Sequence, residues 1–271
     1  MILLYSGTPG SGKSFHATQK IYYLLRRKKN VICNYNVNLS VCAMNFFQYW
    51  LSQIGILKPY IKGHKRLGKF EFKNNTELTP DYLIEYARKY HNRKKEGQTT
   101  VIIDECGIMF NPRTFAQEDR LKWIQFFSLH RHYGYDFILI SQSDRMLDRQ
   151  IRAFIEYDHR HRKANNFGFG GILISLFTMS TFFVDVKLWY GLREKVGADW
   201  IRYSRRIASL YDTMFLESED LVKDRQITDV PDGQGGASLR AGDTGGPADS
   251  GALPSPVPDQ PDVICTLPDN Q

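Results

Sequence analysis

The sequence predicts an α/β fold of three layers, α/β/α, around a mainly parallel sheet. Three observations carry that expectation. The apolar run Ile2-Leu3-Leu4-Tyr5-Ser6 leads into a glycine loop, Gly7-Thr8-Pro9-Gly10-Ser11-Gly12-Lys13-Ser14, and then into a helical pattern from Phe15 to Leu25. The β-branched run Thr99-Thr100-Val101-Ile102-Ile103 ends in two carboxylates, Asp104 and Glu105. The run Asp136-Phe137-Ile138-Leu139-Ile140 ends in Ser141 and Gln142. Apolar runs without alternation are what strands buried on both faces require, and parallel sheets are built from them.

The loop fits G-x-x-x-x-G-K-[ST] at every fixed position, between a strand and a helix. Its glycines allow backbone N–H groups to approach a polyphosphate closely, and the helix N-terminus adds partial positive charge. In that role Gly7, Thr8, Pro9, Gly10, Ser11, Gly12, Lys13 and Ser14 cradle ATP. Lys13 reaches the β- and γ-phosphates, and Ser14 holds Mg²⁺ through its hydroxyl. The expected class is therefore a P-loop NTPase.

Ligands of open α/β sheets bind beyond the carboxyl ends of the strands, which is where Asp104 and Glu105 fall. Asp104 fits the residue that orders water around Mg²⁺, making Ser14 and Asp104 the metal set. Glu105 fits the residue that polarises the attacking water. Successive side chains on a strand point to opposite faces, so the pair can divide these roles. Gln142 falls at the same sheet edge, where it either senses the γ-phosphate or caps the next helix. Lys13, Glu105 and Gln142 are the catalytic candidates.

The remaining elements follow in order. Asn30-Val31-Ile32-Cys33-Asn34 reads as a second strand. A helical and basic insert, 40–98, follows. In it, Val41 to Ile54 reads as an aromatic-faced helix, and Lys58 to Lys73 as a basic hairpin or mobile loop. Thr79-Pro80-Asp81 has the order of an N-cap, Pro at N1 and an acidic first turn, starting a helix through Tyr90. Gln117 to Tyr133 is helical, with Trp123, Phe126, Phe127 and His130 at core spacing and Gly134 as its stop. Ala164 to Val184 carries no charge and is long enough to span a bilayer. Its glycines, hydroxyls and β-branched residues favour buried pieces, and Phe182 to Tyr190 alternates as a strand does, ending at Gly191.

Composition divides the 271-residue chain in two, with a P-loop domain expected over 1–215 and a tail over 216–271. From Asp224 to Gln271 there are eight Asp, no Glu and two Arg, so of the net +7 the tail holds −6 and the rest +13. The tail from Gln226 holds seven of the eleven prolines and no aromatics, a composition that cannot bury enough apolar surface to fold. The basic body points to an anionic partner, nucleic acid or lipid headgroups. Its basic runs are Arg26–Lys29, Lys58–Lys73, Arg88–Lys95 and His159–Lys163, with Tyr60, Phe70 and Phe72 available to stack on unpaired bases. The four cysteines form no C-x-x-C pair, which excludes a zinc ribbon or disulfide framework of the usual spacing. Cys33 and Cys106 are expected as buried thiols in a reducing compartment. With strand and P-loop at the very start, no signal peptide is expected.

At these residues the chain resembles the zonular occludens toxin family in its N-terminal P-loop domain, a family that includes assembly ATPases of filamentous phages. The resemblance rests on Ile2 to Ser14, on Val101 to Glu105 followed by Arg113, and on Arg131-His132 before Gly134-Tyr135-Asp136. It continues through Ile138 to Gln142, Leu147-Asp148 and Ile151-Arg152, with Tyr211-Asp212-Thr213 as a weaker closing match. It implies an ATPase for phage assembly and export of a single-stranded DNA virion, and an arginine supplied by a neighbouring subunit would make it a homo-oligomer. It implies partners among phage assembly or coat proteins and single-stranded DNA. It also implies a location in the cytoplasm or on the cytoplasmic face of the host inner membrane. Family members commonly carry a membrane span and a periplasmic part after the ATPase domain, whereas here an acidic tail follows. A trans-acting arginine would come from Arg113, Arg145, Arg149 or Arg152. Two other classes fit the loop: a nucleotide-binding small-molecule kinase, and a non-catalytic membrane adaptor holding ATP as a structural ligand.

Overall fold

The computed structural model describes residues 1–54, 67–113, 117–164 and 181–211. They form one eight-stranded sheet with helices on both faces. The strands are β1 (Ile2–Ser6), β2 (Asn30–Cys33), β3 (Phe70–Phe72), β4 (Thr99–Ile103), β5 (Tyr135–Ile140), β6 (Tyr157–Lys163), β7 (Phe182–Trp189) and β8 (Glu194–Arg202). The helices used below are α1 (Lys13–Arg26), α2 (Leu39–Ala43), α3 (Phe46–Gln53), α4 (Pro80–Tyr90), α5 (Cys106–Met109) and α6 (Gln117–Leu129).

Spatial order is β3-β2-β4-β5-β1-β6-β7-β8. From β3 to β6 every neighbour pair is parallel, and β7 and β8 extend the sheet antiparallel. This is the mainly parallel three-layer sheet the apolar runs imply.

The period-2 pleat sorts each strand's side chains between two cores. Val101 and Ile103 of β4 join Phe137 and Leu139 of β5 under α4 and α6, while Ile102, Ile138 and Ile140 pack under α1. On α6, Trp123, Phe126 and Phe127 are buried at the predicted spacing, each stabilising by about 2–3 kcal/mol. His130 is buried too, but α6 ends at Leu129, four residues short of the expected end at Tyr133. His130 Nδ1 lies 2.6 Å from the Phe127 carbonyl, and the Tyr135 N–H returns to the His130 carbonyl through Gly134 at φ 80°. Thr79 caps α4 as expected, accepting from the Tyr82 N–H at 3.2 Å. Cys33, Cys42 and Cys106 are buried free thiols.

Three expectations change. The single helix over Val41–Ile54 is two helices, because Asn38 accepts the N–H groups of Ser40 and Val41 to start α2, and the Asn45 N–H bonds Gln48 Oε1 to start α3. The end of the basic segment is a strand: Phe70–Phe72 is a parallel edge strand on β2, and Phe70 packs on the core instead of facing bases. His159–Lys163 is a strand beside β1 that buries His161 while leaving Arg162 exposed and Arg160 partly so. Residues 58–66 of the basic segment, most of the uncharged 164–184 stretch and the tail 216–271 lie outside the described residues. No helix among the described residues is long and apolar enough to cross a membrane.

Candidate functional site

The site forms where β1, β5 and β4 end at one edge. Parallel registers Leu4↔Leu139 and Ile103↔Leu139 bring the three carboxyl ends level. Because β5 lies between β1 and β4, Gln142 sits between the glycine loop and the carboxylate pair. Its carbonyl accepts the Gly7 N–H at 3.3 Å, which ties the loop to β5. Gln142 does not cap the following turn. Ser143 does, with its hydroxyl accepting the Arg145 N–H at 3.3 Å.

The loop needs glycine where the backbone demands it. Gly12 is the N-cap of α1 at φ 94°, and a Cβ there would lie 2.6 Å from the Phe183 ring. At Gly7, φ 139°, a Cβ would meet the His161 carbonyl oxygen at 2.5 Å. Thr8, Pro9 and Gly10 are exposed at the rim. Ser11 is 2% exposed and its hydroxyl has no hydrogen-bond partner among the described residues.

Lys13 is buried and folded back on the loop, donating to the Gly7 carbonyl at 2.8 Å and the Thr8 carbonyl at 3.1 Å. Burial lowers the pKa of its amine, against the pull of Glu105 and Asp104, which raise it. Burial raises that of the Asp104 carboxyl, opposed by a hydrogen bond with Ser14, the Glu105 N–H at 2.9 Å, Lys13 and Tyr211. Lys13, Ser14, Asp104 and Glu105 thus share one electrostatic site, although about 90 residues separate the loop from the pair in sequence.

The different settings of the two carboxylates have another origin than strand alternation. β4 ends at Ile103, and Glu105 is left-handed at φ 47°, ψ 42°, as the exposed N-cap of α5. A non-glycine residue held there carries strain of about 1–2 kcal/mol. The turn leaves Asp104 half-buried against Ser14 and turns Glu105 to solvent.

Two partners of Asp104 carry no sequence signal of their role. Asn34, at the end of β2, clamps the Asp104 peptide from both sides: its Nδ2 donates to the Asp104 carbonyl at 2.8 Å, and its Oδ1 accepts the Asp104 N–H at 2.7 Å. Tyr211 donates to Asp104 Oδ2 at 3.5 Å, and its neighbourhood pushes the phenol up to about 12 through burial first and Asp104 second.

A cavity of about 470 Å³ adjoins the loop, lined by Ser6, Gly7, Thr8, Gln142, Arg160 and Arg162 among others. Arg160 is oriented by Asp158, whose other oxygen accepts the Ser6 hydroxyl at 2.5 Å. Of the sequence-flagged arginines, Arg113, Arg145 and Arg149 are exposed and Arg152 is half-buried. Arg160 and Arg162, flagged only as part of a basic run, are the ones beside the loop. Arg26–Lys29 and Arg88–Lys95 follow the C-terminal ends of α1 and α4, where cations complement the helix dipole.

The residues present fit a nucleotide and its metal. The lysine's loop carbonyl partners are replaceable by phosphate oxygens, the buried Ser11 hydroxyl lacks a partner, and a hydroxyl and a carboxylate adjoin as hard oxygen donors.

Comparison with known proteins places the chain in a family and a fold. Residues 1–214 match the Zonular occludens toxin (Zot) family. The Gene 1 protein of Enterobacteria phage I2-2 is 24% identical over 176 residues, covering 64% of this chain and 44% of that protein. The Zona occludens toxin of Vibrio cholerae serotype O1 is 26% identical over 196 residues, covering 66% of this chain and 43% of that protein. The matches span less than half the length of either relative. Among solved structures, an ATPase domain superposes with a TM-score of 0.50 at 11% identity, over 78% of this chain and 84% of that chain, and shares the P-loop NTPase fold. With four-fifths of its length inside the family match and the loop, carboxylate pair and β5 terminus assembled at one sheet edge, this chain belongs to the zonular occludens toxin family.

Proposed function

We propose that this chain hydrolyses ATP to drive assembly and export of a filamentous, single-stranded DNA phage. The observation that carries the reading is the meeting of Lys13, Ser14, Asp104 and Glu105 at the ends of β1 and β4, with Gln142 between them.

In this mechanism Lys13 leaves the Gly7 and Thr8 carbonyls for phosphate oxygens, exchanging neutral acceptors for charged ones and strengthening each hydrogen bond. The loop N–H groups and the α1 N-terminus hold the remaining phosphate charge. Mg²⁺, held by Ser14 and Asp104, neutralises charge on the phosphates when bound. Glu105, free to face solvent, orients a water for in-line attack, and Gln142 supplies a second hydrogen bond to that water or to the γ-phosphate. Phosphoryl transfer of this kind depends on placement and charge more than on covalent participation by the protein. An arginine from a neighbouring copy would complete the charge, in keeping with a homo-oligomer. The working domain runs to about residue 215 with its insert at 40–98. Phage assembly or coat proteins and single-stranded DNA are the expected partners, at the cytoplasmic face of the inner membrane.

The test is ATP hydrolysis by the wild type, Lys13→Ala and Glu105→Gln, with and without single-stranded DNA. Lys13→Ala should lose nucleotide affinity. Glu105→Gln should keep it and lose turnover by about 100-fold or more, the usual worth of a positioned acid–base group. Transfer to nucleosides faster than hydrolysis would establish a kinase instead. Hydrolysis unchanged in Glu105→Gln would remove the role assigned to that carboxylate, and ATP binding without turnover under any condition would favour an adaptor.

A further inference from the structure

Behind the glycine loop lies a second cluster that nucleotide chemistry does not use. His16 stands in the first turn of α1, three residues after Lys13. His161 and His159 lie on β6, and Asp185 on β7 is paired directly across from His161. His161 is 1% and Asp185 2% exposed. His16 Nδ1 is 2.7 Å from His161 Nε2 and 3.8 Å from Asp185 Oδ2. Tyr5 of β1 stacks on His16 with ring centroids 4.8 Å apart.

The protons in this cluster can be assigned. His161 Nδ1–H donates to the His159 carbonyl at 2.9 Å, which leaves its Nε2 lone pair facing His16. His159 Nδ1–H donates to Asp185 Oδ2 at 2.7 Å and fixes that carboxylate. Asp185 Oδ1 is buried with no hydrogen-bond partner among the described residues. An orphan carboxylate oxygen at this depth is expensive unless a cation meets it. A metal-ligating histidine uses its other ring nitrogen to bond a carbonyl or carboxylate, as His161 does, and ligating carboxylates are themselves held by hydrogen bonds, as Asp185 is.

We propose that His16 Nδ1, His161 Nε2 and Asp185 bind a transition-metal ion of the zinc class, separate from the Mg²⁺ of the nucleotide site. Their candidate ligand atoms all lie within 4.8 Å of one another, the one such group of His, Cys, Asp and Glu among the described residues. Two imidazoles and a carboxylate suit Zn²⁺ or Co²⁺, whereas Mg²⁺ prefers oxygen donors throughout. Tetrahedral bonds of 2.0–2.1 Å would place the two nitrogens about 3.3 Å apart, so the pair must open by about half an ångström from its metal-free contact. His16, at 18% side-chain exposure, is the group with room to swing. The proton between the rings then moves to Nε2 of His16 as the neutral tautomer changes. The bound ion would fasten the first turn of α1, which carries Lys13 and Ser14, to the β6–β7 hairpin.

The experiment uses the full chain, stripped with chelator and free of nucleotide, titrated with Co²⁺ and then Zn²⁺. The expected result is one equivalent bound, visible as Co²⁺ ligand-field bands that Zn²⁺ abolishes, with a rise in Tm. Asp185→Asn and His16→Gln should each weaken binding tenfold or more, while Ser14→Ala binds as the wild type does. His16→Gln alters a partly exposed side chain and keeps the readout should the buried Asp185 variant fail to fold. No stoichiometric binding at micromolar metal, or equal binding by wild type and His16→Gln, would overturn the proposal.

Discussion

Replacing Gly12 with alanine separates the loop's backbone requirement from its packing. At φ 94° any Cβ is strained, which costs about 1–3 kcal/mol. The added methyl also sits 2.6 Å from the Phe183 ring, well inside ordinary contact, and forcing it in costs about 1–3 kcal/mol more. Gly12→Ala should therefore lose about 2–6 kcal/mol in urea unfolding. Phe183→Ala removes the ring, which meets the Phe15 ring at a tilt with centroids 5.8 Å apart. In the double variant the overlap part vanishes, so the losses should fall short of additivity by about 1–3 kcal/mol, with the φ part remaining. Gly7 is the control: its obstacles are the His161 backbone carbonyl at 2.5 Å and Ser11 Oγ at 2.9 Å, neither of which the Phe183 truncation removes, so Gly7→Ala with Phe183→Ala should add. Additive losses at Gly12, or coupling at Gly7, would refute the packing account of this loop.

Two further outcomes concern the site's supports. Burial, then the charge of the neighbouring histidine, lowers His16 to about 3, and burial lowers His161 to about 4 despite Asp185. The unfolded chain takes up these protons near pH 6.5 and the folded one does not, so metal-free protein should lose stability as pH falls from 6.5 toward 4. His161 alone accounts for about 3 kcal/mol. Urea midpoints at pH 7.5, 6 and 5 should fall less steeply for His16→Gln than for wild type, and parallel slopes would exclude the buried neutral pair. Asn34→Ala breaks both bonds to the Asp104 peptide and one of 2.8 Å to Asn75, a loss of about 2–3 kcal/mol, measured by urea unfolding. Turnover should drop more than nucleotide affinity, and wild-type stability in that variant would contradict the clamp.

The local chemistry and the layer architecture are legible in residue order alone. A glycine loop between an apolar strand and a helix has a narrow range of conformations, and unalternating β-branched runs can be buried only between two layers. Lys13, Ser14, Asp104 and the N-cap at Thr79 were legible for that reason: each depends on neighbours within a few residues. Glu105 was legible as a residue but not as a geometry, because the left-handed turn that frees it from β4 has no glycine to mark it. Strand order, by contrast, is set by packing across the sheet. Placing β5 between β1 and β4 sets Gln142 between loop and carboxylates, and placing β6 and β7 beyond β1 lays His159, His161 and Asp185 against His16. The partners of Asp104 at Asn34 and Tyr211 arrive from opposite ends of the chain. Such contacts span about 70 to 170 residues of sequence and leave no periodicity. They exist only once burial of the two apolar faces has fixed which strands are neighbours.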